Sequence, residues 1–178
     1  MKRSRFKKAV NTYKNVIYSQ AFYFTGNRED AEDITQEVLL RLWNHLENIN
    51  MSSIKAWLMK VTKNICIDLS KKKKRILTDS FDNNEELSLC EIIPDDAPGP
   101  EKQLINKDLK ERITGLINKL PENIRSIVIM RDIQRLKYAE IAEVAEISIN
   151  SVKVNLHRGR KLLLKDLYKT YNREFSME

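Results

Sequence analysis

Apolar residues recur at intervals of three and four through two long stretches of the chain, from about Arg5 to Arg75 and from about Leu104 to Tyr171. That spacing is the signature of helices burying one face. In the first stretch, "NREDAEDITQEVLLRLWNHL" opens on Asn27, a good N-cap, with Asp30 at the third helical position, where an acid complements the helix dipole. Ala31, Ile34, Val38, Leu42 and Leu46 share one face and are expected to pack inward. The opposite face carries Asp33, Gln36, Glu37, Leu40 and Asn44, which leaves one leucine in the middle of a polar, acidic surface. It reads either as a stray apolar residue on a solvated face or as a docking patch for a basic partner, and the helix alone does not choose.

A further helix follows in "SSIKAWLMKVTKNICIDLSKKKKR", opened by a serine cap, with Ile54, Trp57, Leu58, Val61, Ile65 and Leu69 as its buried stripe. Lys60, Lys63, Lys71 and Lys74 project roughly opposite, and Lys72, Lys73 and Arg75 extend the charge. A lysine run is usually a solvated helix end, but positive charge sustained along one face for several turns favours a track for phosphates. Trp57 fits a core anchor better than a base-stacking platform.

The pattern stops in "DSFDNNEELSLCEIIPDDAPGPE", rich in acid, Asn and Pro and poor in apolar residues that would repay ordering. Residues 77–103 are therefore read as a flexible acidic linker between helical domains at 5–76 and 104–172. Fully extended, such a linker reaches on the order of 90 Å at ~3.3 Å per residue. That is enough for one chain to touch DNA sites about 20 base pairs apart, roughly 70 Å.

Past Pro121 the sequence predicts a helix, a connection near Gln134–Lys137, a short helix around Glu140–Val144 and a longer one from Ile149. This is a helix-turn-helix pattern. Ser148 is placed to cap the last helix, with Ile147 and Val152 as a hydrophobic staple. Ile149, Val152, Leu156 and Leu163 are expected inside, leaving Asn150, Val154, His157, Arg158 and Lys161 outside, flanked by Ser151, Lys153 and Asn155. Arg and Asn pair with guanine and adenine edges, Lys and Ser suit phosphates, and Val154 suits a thymine methyl, so this helix is a candidate reader of a major groove. Two residues go against the pattern. Glu146 stands where the turn needs positive φ and usually has Gly. Gly159 lies inside the reading helix, at a cost of roughly 1 kcal/mol relative to Ala.

Composition narrows the partners. Among 178 residues there are only 4 Gly and 4 Pro, which speaks against a loop-rich β design and for an all-α protein. The net charge of +7 makes nucleic acid the first partner to consider and an anionic membrane surface the second. Cys66 and Cys90 do not suggest a disulfide framework, which fits a reducing compartment. No run approaches the roughly 20 apolar residues of a membrane span, so a cytoplasmic protein without membrane insertion is expected. No Gly-rich phosphate loop is present, and His45 and His157 stand apart from any ligand set, so neither enzyme chemistry, metal nor cofactor is expected. A stand-alone duplex-binding regulator shares the reading helix, but it explains neither Leu40 amid acids nor a second basic helix across a long tether.

Taken together, "TGNREDAEDITQEVLLRLW", "AWLMKVTKNICIDLSKKKKR" and "LPENIRSIVIMRD" through "EIAEVAEISINSVKVNLHRGRKLL" resemble bacterial RNA polymerase sigma factors of the extracytoplasmic-function (ECF) class. The resemblance covers both helical stretches and implies an initiation subunit that directs core polymerase to promoters, for a stress or envelope-signal regulon. It assigns Asp33, Gln36, Glu37 and Leu40, with Asn44 on the same face, to docking on the β′ clamp, and names the β flap as a further contact. It assigns the helices around Trp43–Arg75 to the minus-ten element, with Asn48 and Asn50 in the base-capturing loop and Lys60, Lys63, Lys71 and Lys74 along the DNA. The helix from Ser148 to Lys161 would read the minus-thirty-five element, and an anti-sigma factor would hold the protein inactive. Glu146, Ala145, Val154 and Asn155 depart from the usual Gly, Leu, Ser and Arg, which bears on the promoter sequence read.

Overall fold

The computed structural model describes residues 2–79 and 100–175, and among these residues every regular element is helical. The first block comprises α1 (Lys2–Thr25), α2 (Arg28–His45) and α3 (Ile54–Asp79). The second comprises α4 (Pro100–Asn118), α5 (Glu122–Val128), a π-helical turn (Ile129–Ile133), α6 (Tyr138–Ala145) and α7 (Ile149–Phe175). Most of the acidic segment read as a linker, 80–99, lies outside the described residues.

The α1–α2 junction is set by Gly26, whose φ of 69° suits glycine. A Cβ there would also lie 2.1 Å from Asn118 Nδ2. Asn27 then caps α2, its Oδ1 accepting the Asp30 N–H at 3.0 Å. Ala31, Ile34, Val38, Leu42 and Leu46 are all buried, as their spacing requires, against Ile17, Ala21 and Phe24 of α1 and Ile54 and Leu58 of α3. In α3 the buried arc is wider than the single stripe expected. Met59, Thr62 and Cys66 are fully buried, whereas Trp57, Val61, Ile65 and Leu69 are only partly covered.

In the second block, Ile117, Leu120, Ile127 to Met130, Leu136, Ile141, Val144, Val152 and Leu156 form the core. The π-helical turn widens the end of α5. Gln134 N–H reaches Ile129 O and Leu136 N–H reaches Met130 O, both at 3.0 Å. Glu146 ends α6 in the left-handed conformation, φ 58°, the conformation its place in the turn demands. Ser148 Oγ accepts the Ser151 N–H at 3.1 Å and starts α7. Ile149 corrects the sequence reading: it is 45% exposed, because Ile147 beneath the cap and Val152 one turn on take the inward places. Gly159 is buried where α7 crosses α5, and a Cβ there would stand 2.7 Å from Val128 Cγ2 and 2.8 Å from Ile124 Cγ2.

The two blocks do not stand apart. The first helix meets α4 and the π-helical turn, while α3 meets α6 and α5. Gln134 Nε2 donates to the Val16 carbonyl at 3.1 Å. Arg125 Nη1 donates to the Phe24 carbonyl at 2.9 Å, with the guanidinium 4.9 Å from the Phe24 ring centre. Buried side chains of both blocks join in one apolar cluster.

Candidate protein and nucleic-acid interfaces

Three surfaces gather the residues singled out by the sequence. On α2, Asp33, Gln36, Leu40 and Asn44 are exposed, and Glu37, half-buried, accepts from Arg41 Nε at 2.7 Å. Leu40 is 60% exposed, so the inward stripe of α2 leaves it no place in the core. An isolated leucine ringed by carboxylate and amide groups has the chemistry to meet a surface that offers one apolar pocket with positive charge around it.

The turn before α3 presents Asn48 and Asn50 to solvent, and Asn50 Oδ1 accepts the Ser52 N–H at 3.1 Å, which fixes the turn. Along α3, Lys71 is exposed. The other three lysines assigned to this face turn toward the second block. Lys60 Nζ lies 2.7 Å from Glu146, Lys63 Nζ donates to the Val144 carbonyl at 3.3 Å, and Lys74 Nζ lies 2.7 Å from Glu122. Lys55 adds a fourth bridge, 2.9 Å from Glu140.

The electrostatics follow these contacts. Burial draws the Lys63 pKa below the usual lysine range, with Glu146 opposing the shift and Lys60 adding to it. The hydrogen bond from Lys60 and its charge hold the Glu146 carboxyl low. Glu122 is held low chiefly by the hydrogen bond from Lys74, with Ser70 contributing. Glu140 is held low first by the Lys137 backbone N–H and then by Lys55.

The third surface is α7. Asn150, Lys153, Val154, His157, Arg158 and Lys161 are exposed along it. Ser148, Ser151 and Asn155 are engaged locally: the two serine hydroxyls lie 2.9 Å apart, and Asn155 Nδ2 donates to the Ser151 carbonyl at 2.9 Å. The first of these three is a helix cap as well as a candidate phosphate contact. Val154 is 49% exposed, an apolar contact surface among polar neighbours.

Sequence reasoning passed over several side chains that shape these surfaces. Arg160 forms a two-pronged pair with Asp132, at 2.6 and 3.3 Å, bracing α7 against the π-helical turn. Glu122 and Glu140, which pair with α3 lysines, looked like ordinary helix-start residues, and Glu146, singled out for its place in the turn, gave no sign of its partner Lys60. An apolar groove of about 400 Å³ lies between α4 and α7, lined by Ile113, Leu116, Ile117, Leu163, Leu164 and Leu167. Its signal was present in "KLLLKDL", whose leucines exceed what one inward stripe needs. Among the described residues no cluster of His, Cys, Asp and Glu could hold a metal, and no helix is long and apolar enough to cross a membrane.

A basic helix-turn-helix joined to a second helical block with a lysine-rich helix fits the class of DNA-reading transcription factors. Residues 9–76 match the family Sigma-70 region 2, and residues 110–163 match Sigma-70, region 4. The chain is 32% identical over 165 residues to the ECF RNA polymerase sigma factor SigW of Bacillus subtilis, covering 91% of this chain and 88% of that one. It is 31% identical over 175 residues to the RNA polymerase sigma factor SigV of the same organism, covering 95% and 98%. The fold is similar to that of the sigma factor RpoE in its complex with the anti-sigma factor NepR from Bartonella quintana, with TM-score 0.72, 22% identity and coverage of 92% and 96%. It is also similar to CnrH in complex with the cytosolic domain of CnrY, with TM-score 0.67, 19% identity and coverage of 92% and 88%. The chain belongs to the ECF RNA polymerase sigma factors. It is a non-enzymatic factor that binds core RNA polymerase and promoter DNA and directs promoter-specific transcription initiation.

Proposed function

We propose that this sigma factor divides its work among the three surfaces, in domains spanning 5–76 and 104–172 with 77–103 as the tether. Asp33, Gln36, Glu37, Leu40 and Asn44 dock on the β′ clamp of core polymerase. Asn48 and Asn50, with Lys60, Lys63, Lys71 and Lys74, engage the minus-ten element. Ser148, Asn150, Ser151, Lys153, Val154, Asn155, His157, Arg158 and Lys161 read the minus-thirty-five element. The apolar groove between α4 and α7 receives the β flap. Capturing an extruded base at the Asn48–Asn50 turn costs a few kcal/mol of unstacking, which polymerase contacts and lysine–phosphate contacts offset. The protein acts in the cytoplasm, serves a stress or envelope-signal regulon and is held by an anti-sigma factor. Its fold neighbours RpoE and CnrH were solved with protein partners bound, and the first of those partners is an anti-sigma factor.

The observation that carries this division is Leu40, 60% exposed at the centre of the acidic face of α2 while every inward position of the same helix is buried. Leu40→Arg is expected to weaken binding to core polymerase at least tenfold, a change of about 1.4 kcal/mol, with the circular dichroism melt of the chain unchanged. Undiminished polymerase binding by this variant would move the docking site elsewhere.

A further inference from the structure

The first turns of α1 make contacts that the division among three surfaces leaves unused. Three side chains there reach the end of α2 and the turn that follows it. The Phe6 ring meets Trp43 edge-on, with ring centres 5.1 Å apart. Lys2 Nζ stands 5.0 Å from the Trp43 ring centre and 3.6 Å from a Glu47 carboxylate oxygen. Arg5 reaches furthest: its Nη2 donates to the Ile49 carbonyl at 3.1 Å, across 44 positions of sequence.

Ile49 lies between Asn48 and Asn50, and it is the one residue from Glu47 to Ser53 that is not exposed. Its side chain packs against the apolar cluster. Local hydrogen bonds close the turn on either side, from Asn48 N–H to His45 O and from Ser53 N–H to Asn50 O, both at 3.0 Å. Among the described residues no backbone N–H reaches the Ile49 carbonyl, so Arg5 supplies its donor. With the Ile49 side chain held inward and its carbonyl held by Arg5, the peptide plane that joins Ile49 to Asn50 is fixed from both ends. Side chains on a loop hold a ligand geometry to a fraction of an ångström only where such supporting contacts lock them.

We propose that Arg5 is a positioning residue for base capture: by holding the Ile49 carbonyl it sets the backbone on which Asn48 and Asn50 face outward, and so sharpens the preference for the extruded base. This inference rests on the assignment of Asn48 and Asn50 to base capture.

The test uses the full chain assembled with core polymerase, which selects from a single-stranded DNA library of randomised sequence. Sequencing the retained strands gives the enrichment of the preferred base at the most discriminating position. Arg5→Met keeps an unbranched stem and removes the donors. It is expected to lower that enrichment several-fold, with core-polymerase binding and total DNA retained within twofold of wild type, and to speed amide hydrogen exchange across 48–53 in the free chain. Arg5→Lys, which returns a donor, is expected to recover at least half of the enrichment. Lys8→Met, at an exposed position of α1, is expected to leave it unchanged. Unchanged enrichment or exchange in Arg5→Met, or an equal loss in Arg5→Lys, overturns the proposal. So does a uniform loss of retained DNA at constant preference, which would make Arg5 a phosphate contact. Asn48→Ala/Asn50→Ala then locates the fault. If that variant loses the preference while Arg5→Met keeps it, base capture stands and the role of Arg5 alone is wrong; if it keeps the preference, the assignment of the turn has failed and the role of Arg5 falls with it.

Discussion

Gly159 and Glu146 show how single positions in the helix-turn-helix are decided by neighbours that the local pattern does not reveal. Glycine inside α7 looks like a defect until the crossing with α5 is seen, where Val128 and Ile124 leave no room for a methyl group. Gly159→Ala gains helix propensity of about 1 kcal/mol, yet overpacking two branched side chains costs about 1–3 kcal/mol. The variant is therefore expected to unfold at lower denaturant concentration than the wild type, and a raised midpoint would show that the crossing can relax. Glu146 was legible as a positive-φ position from its place in the turn, but its partner was not, since Lys60 is distant in sequence. Leu40 was legible only as an anomaly: its exposure follows from helical phase, whereas its use depends on a partner outside the chain.

Among elements, α2 was read nearly whole from the sequence, because its cap and its buried stripe are local properties. The long helix α3 was read on one side only. It packs on both α1–α2 and α5–α6, and the second contact includes ion pairs of Lys55 and Lys60 that leave no hydrophobic period. The π-helical turn escaped for a similar reason: a single widened turn leaves the apolar spacing around it almost unchanged. Within α7 the capping serine and the polar outer face were both legible, and Ile149 was misplaced by one helical position. Arg158 points outward from this helix with no role in the core. Arg158→Ala is expected to cost about 1–3 kcal/mol at one base position of the minus-thirty-five element, measured as a relaxed preference at that base, with polymerase binding unchanged. A uniform loss across all duplexes would make Arg158 a phosphate contact instead.

For the whole molecule, two helical units were visible in the sequence as two periodic stretches, but nothing in either stretch announces that they close on each other. Closure has a pH dependence whose sign follows from the acids at the seam. Glu122, Glu140 and Glu146 all titrate below the ordinary glutamate range in the closed chain. Their pairs therefore contribute fully above that range and are lost as pH falls through the lowered values. Exposed pairs hold little by themselves, so the scattering profile is expected to stay compact from neutrality to about pH 5 and to loosen only slightly as the glutamates protonate below about pH 4, with the apolar cluster keeping the blocks together. Expansion already near neutrality would assign closure to other groups.

The division of labour among the surfaces depends first on polymerase recognition by the free chain. The most direct measurement is a titration of the labelled protein into bacterial core RNA polymerase with no DNA present, at near-physiological salt so that loose polyelectrolyte contacts are screened. Saturable, one-to-one binding is expected, because the α2 face is open before any promoter is met. Absence of saturable binding, with tight binding to duplex DNA alone, would contradict polymerase docking through Leu40 and leave the acidic face of α2 without a function.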